Sequence, residues 1–271
     1  MIQDIFPHVM HNQYSERTEP APGDFALLID GPKVLLNGEA EFPKVDDFGS
    51  DCQFVYLFSV DDEHFFRVEG AAVPDGFAFT DVFALRRELA LPKHHIFAAL
   101  TAKHLSDWYR DNQFCGRCGR KMTHSQKERA MVCTCKNTVY PRIMPAVIVG
   151  VINGDQLLLT RYRVGYGHNA LIAGFVEIGE TLEETVAREV MEEAGVRVKN
   201  IRYYKSQPWG VANDILTGFF CDVDGDTTIH MDDQELKYAQ WVNREDIELQ
   251  PDDFSLTNEM MSLFQQGRER V

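Results

Sequence analysis

Gly174-Phe-Val-Glu-Ile-Gly-Glu180-Thr-Leu-Glu-Glu-Thr-Val-Ala-Arg188-Glu189-Val-Met-Glu192-Glu193-Ala-Gly195-Val196 is the stretch from which the rest of the chain is read. Thr181 and Glu184 form a capping-box pair, in which each side chain accepts the other's backbone N–H at a helix start. Gly195 stands where a left-handed residue would end the helix. The spacing therefore predicts a helix from about residue 182 to the glycine. Leu182, Val186 and Val190 recur at four-residue intervals and predict a face packed on a sheet, whereas Glu189, Glu192 and Glu193 are i, i+3 and i+4 neighbours on another face. Like charges so placed cost a few tenths of a kcal/mol per pair. A hard divalent cation with oxygen ligands, magnesium or manganese, would relieve them, and a solvated acidic face is the plainer alternative.

Working outward, Ala146 to Ile152 and Gln156 to Thr160 read as strands joined by the turn Asn153-Gly154-Asp155. Beyond the helix, Ile201 to Ser206, Ile215 to Val223 and Tyr238 to Val242 read as strands and Ser255 to Gln266 as a closing helix. Mixed strands around a central helix indicate an α+β sandwich over residues 142–271. Ahead of it, residues 1–82 read as a small β-rich domain, with Phe25 to Ile29 and Lys33 to Leu36 flanking Asp30-Gly31-Pro32, and Gln53 to Phe58 before an acidic turn. Residues 83–112 read as a helical link, with Phe83, Leu85, Leu89, Phe97, Leu100 and Leu105 in buried stripes and Pro92 punctuating them.

Four of the six cysteines, Cys115, Cys118, Cys133 and Cys135, crowd into residues 113–141, which suggests a metal site before disulfides. The formal net charge of −15 disfavours a long phosphate-binding surface. No apolar run approaches the roughly 20 residues of a membrane-spanning helix. Asp4, His8 and His11 interrupt any signal-peptide core, so a cytoplasmic protein with no membrane partner is expected. His94, His95 and the remaining histidines are expected to be surface or hydrogen-bonded residues.

Gly174, Glu180, Arg188-Glu189-Val190, Glu192-Glu193 and Gly195-Val196 fill every defined position of the Nudix box, and the chain resembles the Nudix hydrolases. The resemblance implies an α/β/α sandwich and a pyrophosphate hydrolase. It implies Glu189, Glu192 and Glu193 as magnesium or manganese ligands, with Glu193 or a nearby carboxylate as the base. Glu235, in Glu235-Leu-Lys-Tyr-Ala-Gln-Trp241, resembles a distal ligand of that family. Arg188 is expected to pair with Glu180 or Glu184 and order the loop–helix junction.

Two features resemble the NADH pyrophosphatase (NAD diphosphatase) subfamily. Cys115-Gly-Arg-Cys118-Gly looks like the first knuckle of a zinc ribbon; the second, Cys133-Thr-Cys135, is one residue shorter than the family's Cys-x-x-Cys, and a structural zinc on four thiolates is expected. Ser206-Gln207-Pro208-Trp209 matches the start of the subfamily's Ser-Gln-Pro-Trp-Pro-Phe-Pro, but Gly210-Val211-Ala212 replaces its end. A differently shaped or more mobile loop is expected there. The resemblance, which covers roughly residues 83–265, implies substrate contacts at Tyr140, Ala173, Phe175, Gln207 and Trp209, with Arg86 and Glu128 as weaker candidates. It implies cleavage of NADH or NAD⁺ to the mononucleotide and AMP by a homodimer. The alternatives are a broader ADP-ribose-type pyrophosphatase, removal of NAD caps from RNA, or a nucleotide sensor that does not cleave.

Overall fold

The computed structural model describes residues 1–14, 18–88, 91–164 and 167–269, and of Arg86 the backbone only. Leu89 of the expected helical stripe lies outside the described residues. The chain divides into two compact units, one of residues 2–142 with 210–213, the other of Met1, 143–209 and 214–271.

The first unit is built from β1 (Met10–His11), β2 (Phe25–Leu27), β3 (Ile29–Asp30), β4 (Lys33–Asn37), β5 (Gln53–Val60), β6 (Glu63–Glu69) and β7 (Phe77–Asp81). These form two sheets, β1-β5-β6-β2 and β3-β4-β7. The expected strand Phe25 to Ile29 is thus split at Leu28, so that one run of chain serves both sheets. Two helices follow, α1 (Val82–Glu88) and α2 (Lys93–Asp111), separated at Pro92, which caps α2. From Ala98 to Tyr109 most of α2 is buried, so this segment is core of the first unit as well as a connection.

Lys103 and Asp107, both buried on α2, pair at 3.0 Å, and the Lys103 ammonium also donates to the Val211 carbonyl at 2.8 Å. A Cβ on Gly210 would strike the Leu100 carbonyl. The segment that replaces Pro-Phe-Pro is therefore held by α2 through its backbone.

The cysteine-bearing segment forms a small sheet of β8 (Thr123–His124), β9 (Met131–Val132) and β10 (Thr138–Val139), in the order β10-β9-β8. In the first knuckle the N–H groups of Cys118 and Gly119 donate to the Cys115 carbonyl, and Gly119 is left-handed at φ 72°. In the shortened second knuckle Lys136 donates to the Cys133 carbonyl at 2.9 Å and is left-handed at φ 67°. Both knuckles therefore close through a left-handed residue directly after the second cysteine, and the missing residue is absorbed in the turn.

The second unit is a mixed sheet with one helix on each face. Its strands are β11 (Met144–Asn153), β12 (Gln156–Tyr162), β13 (Ile172–Phe175), β14 (Val198–Trp209), β15 (Asp214–Val223) and β16 (Leu236–Asn243). The order is β14-β15-β11-β12-β16, with β13 paired to β11. Successive side chains of a strand point to opposite faces. Val147, Val149 and Val151 of β11, with Leu158 and Phe219, pack under Val186 and Val190 of α3 (Leu182–Ala194). Ile148 and Ile152, with Leu157, Leu159 and Phe220, pack against Leu256, Met260 and Phe264 of α4 (Leu256–Gln265).

β14 runs further than the sequence suggested at both ends, starting at Val198 and continuing the ladder to β15 through Gln207, Pro208 and Trp209. Pro208 is tolerated there because β14 is an edge strand.

Lys136 holds a conformation that costs a residue with a Cβ roughly 1–2 kcal/mol. Lys136→Gly should therefore raise the stability of the ribbon by about that amount. Chelator-induced loss of zinc, followed colorimetrically, should be slower in the variant; an unchanged or faster loss counts against the strained-turn account.

Candidate functional site

The acidic helix begins and ends as its residues require. Thr181 accepts from the Glu184 N–H at 3.2 Å, and the Glu184 carboxylate accepts from the Thr181 N–H at 2.8 Å. Gly195, at φ 69°, closes the helix where a Cβ would meet the His230 side chain at 2.7 Å.

Arg188 reaches further than the loop–helix junction. Its guanidinium donates to both oxygens of Glu180 at 2.7 and 2.9 Å, to Glu189 at 2.6 Å, to Glu192 at 3.0 Å and to the Phe175 carbonyl at 2.9 Å. The fork-to-fork geometry holds the Glu180 carboxyl down to about 2, with help from the Glu177 N–H and the Thr185 hydroxyl. Glu184 is taken by the cap, so of the two partners expected for Arg188 the structure uses Glu180.

Glu193 differs from its neighbours in burial. It is 3% exposed; one oxygen accepts weakly from the Ala173 N–H at 3.4 Å, and the other, Oε2, has no hydrogen-bond partner among the described residues. Burial first, then the negative charges of Glu235, Glu189 and Asp232, push its carboxyl up to about 8. Glu189 is raised in the same direction, again by burial first, against the pull of Arg188. An orphaned buried carboxylate oxygen beside further carboxylates is a donor set that fits a hard divalent cation, since burying an unpaired charge is costly and a cation would remove that cost. Among the described residues these carboxylates do not close into a set of three within 4.8 Å, because Arg188 draws Glu189 and Glu192 to itself.

The role of Gly174 and the presence of Tyr162 escaped the sequence reading. A Cβ on Gly174 would fall on the Glu189 carboxylate, so the box glycine is a cradle for that side chain. Tyr162, at the end of β12, has its phenol raised by burial and then by the negative charges of Glu193, Glu235 and Glu189. An aromatic at a strand end carries no sequence signal of that role.

The expected substrate residues divide between the units. Phe175, on β13, is 51% exposed, and the Ala173 N–H faces Glu193. Glu235 is exposed immediately before β16, where Trp241 donates to the Thr227 carbonyl at 2.8 Å. Trp209 ends β14 and is half-buried. Gln207 is fully buried, with its amide donating to the Phe254 carbonyl and accepting from the Leu256 N–H, both at 2.8 Å. That geometry gives Gln207 a place in the fold, tying β14 to the start of α4. In the first unit the exposed Tyr140 donates to Glu128 at 3.1 Å, and Arg86 lies on α1 with its side chain outside the described residues.

The four cysteines, also in the first unit, gather within 4.8 Å. Cys115 and Cys135 approach to 3.7 Å and Cys118 and Cys133 to 3.5 Å. Burial opposes ionisation of Cys115, but the N–H groups of Arg117 and Cys118 outweigh it and bring the thiol down to about 6. Four sulfurs at these separations, with Cys115 and Cys133 both inclined to thiolate, fit a closed tetrahedral zinc site.

Residues 142–263 match the NUDIX domain, and residues 110–140 match the NADH pyrophosphatase zinc ribbon domain. The chain is 46% identical over 151 residues to the NAD-capped RNA hydrolase NudC of Klebsiella pneumoniae subsp. pneumoniae, covering 54% of this chain and 58% of that one. It is 44% identical over 149 residues to the protein of the same name from Salmonella typhi, with the same shares covered. The match thus spans less than two thirds of the length of these relatives. Among solved structures, a NUDIX hydrolase from Nitrosomonas europaea aligns at 21% identity with a TM-score of 0.49, over 58% of this chain and 94% of that one. No helix among the described residues is long and apolar enough to cross a membrane.

Because the Glu193 carboxyl titrates at about 8 rather than near 4.5, its contribution to stability is full below the ordinary carboxylate range and is lost as pH rises through about 8. Without added magnesium or manganese, the wild-type Tm should fall between about pH 5 and about pH 9 more steeply than that of Glu193→Gln. Parallel slopes in a melting series would contradict the assignment. Gly174→Ala should leave the Tm nearly unchanged, since the tip of Glu189 can swing aside, while pyrophosphatase activity should drop about 10–100-fold from the displaced carboxylate. Equal activity in the two proteins would show that the cradle is not needed.

Proposed function

We propose that this chain, which carries a Nudix domain behind an NADH pyrophosphatase zinc ribbon, hydrolyses the pyrophosphate of NADH or NAD⁺ to the nicotinamide mononucleotide and AMP. The observation that carries the reading is the buried Glu193 carboxylate, one oxygen unpartnered, on the acidic helix and under the negative charges of Glu235 and Glu189.

Magnesium or manganese on Glu189, Glu192, Glu193 and Glu235 would supply charge neutralisation on the pyrophosphate oxygens and a water acidified for attack. Around that, the chain's own groups have separable tasks. Burial and the neighbouring carboxylates raise the Glu193 carboxyl while no cation is bound; a cation there would hold it ionised, and Glu193 or a nearby carboxylate would take the proton of the attacking water. Arg188 holds Glu189 and Glu192 beside Glu180 and the Phe175 carbonyl, and both carboxylates would turn from it onto an entering cation. The exposed rings of Phe175 and Tyr140 offer aromatic faces of the kind a nicotinamide or adenine base stacks on. Water adds across the P–O–P bridge, one phosphate taking the hydroxyl and the other leaving with the bridging oxygen.

Removal of NAD caps from RNA is supported by the names of the relatives and uses the same bond, with RNA in place of the second nucleotide. A cytoplasmic homodimer belongs to the same reading, on cysteine usage and on the family resemblance. Gly210 to Ala212, in place of the family's Pro-Phe-Pro, favours the wider ADP-ribose-type specificity as the competing outcome.

The deciding experiment compares kcat/KM for NADH, NAD⁺, ADP-ribose and NAD-capped RNA with magnesium or manganese. Preference for the nicotinamide substrates supports the proposal, and equal rates on ADP-ribose overturn its specificity. Glu192→Gln should lower kcat on the order of 10²-fold or more with an unchanged Tm, because a ligand to the neutralising cation is lost. Undiminished turnover in that variant would remove the metal-site reading altogether.

A further inference from the structure

The first unit carries a second cluster of metal-binding side chains that pyrophosphate chemistry does not use. Glu63 opens β6 directly after the turn from β5, and His94 and His95 lie in the first turn of α2. One ligand atom from each lies within 4.8 Å of the other two. His95 Nε2 is 2.9 Å from a Glu63 carboxylate oxygen, and the rings of His94 and His95 stand 4.4 Å apart at their centroids. On the other side of His94 the ring of His8 stacks at 3.8 Å, with its Nδ1 2.8 Å from Asp61. Asp61 also accepts from the Val9 N–H at 2.8 Å, so this outer pair is fixed to the backbone.

Folding accounts for one imidazole and one carboxylate here, because the His95–Glu63 contact closes a hairpin turn onto a helix end. It does not account for a second imidazole set against the first and a third stacked upon that. Two imidazole nitrogens and a carboxylate oxygen are the donors of borderline divalent metals, which commonly take three protein ligands and keep a fourth position for water. Magnesium and calcium prefer an all-oxygen set. Ligands about 2.0–2.2 Å from one ion stand within roughly 4 Å of one another. The three side chains therefore reach a common ion by small rotations. Glu63, His94 and His95 are all half-buried, open enough for an ion to enter. A cation at a helix N-terminus is disfavoured by the helix dipole, and the carboxylates of Glu63 and Asp61 offset that.

We propose that Glu63, His94 and His95 form an exchangeable site for a borderline divalent transition metal. The bound ion fastens the β5–β6 turn to the start of α2, and the His8–Asp61 pair walls its outer side.

Zinc is the probe. The full-length protein, its ribbon already zinc-loaded and with excess magnesium present, is titrated with Zn²⁺ by calorimetry. One further site is expected, weakened at least about tenfold in both His94→Ala and Glu63→Gln and unchanged in His168→Ala. Added zinc should raise the wild-type Tm and leave that of the two ligand variants unmoved. Glu63→Gln keeps the side-chain shape and a hydrogen bond to His95, so it reports even if His94→Ala folds poorly. Absence of a further site, or one that both variants retain in full, overturns the proposal.

Discussion

Arg188 touches Glu180, Glu189, Glu192 and the Phe175 carbonyl at once, and the geometry of the acidic pocket hangs on that one guanidinium. Its planar fork matches the Glu180 carboxylate with two parallel bonds, which a lysine could not do. The contacts differ in weight. Glu192 is more than half exposed, and an exposed pair of this kind is worth at most about 1 kcal/mol. Glu180 and Glu189 are largely shielded, so their contacts fix direction as well as charge. With its neighbours so held, Glu193 is left as the carboxylate with no cationic partner of its own and a carboxyl raised by burial.

That placement is possible only because the sheet below is apolar on both faces. β11 sends Val147, Val149 and Val151 to α3 and Ile148 and Ile152 to α4, so one strand anchors the acidic helix and the closing helix together. Gly150 lies on the α4 side, where a Cβ would meet the Phe220 ring at 2.7 Å, so the space of a missing side chain is filled by the neighbouring strand. Gln207 then ties the edge strand β14 to the first residues of α4.

The first unit applies different physics to its own metal chemistry. The ribbon's strands are only two residues long and bury little, so closure rests on the turns around the cysteines and on the ion they fit. The shortened second knuckle keeps its ligands because Lys136 adopts the left-handed conformation that Gly119 adopts in the first.

Local chemistry made much of this legible. The cap at Thr181, the stop at Gly195, the four-residue apolar spacing and the acidic face of α3 are decided within a dozen or so residues, and the sequence determined them. So too were the turns at Gly31 and Gly154 and the membership of the four cysteines in one cluster. Tertiary structure decided what depends on groups far apart in the chain. Glu193, not Glu189 or Glu192, is the buried carboxylate because it faces β13, a strand too short to show a period. Gln207 turned inward because its partners are Phe254 and Leu256, around the start of α4, and the Tyr162 phenol feels carboxylates far from it in the chain. His94 and His95 met Glu63 across more than thirty residues. Burial and long-range charge are properties of the folded arrangement, and no local pattern of residue types encodes them.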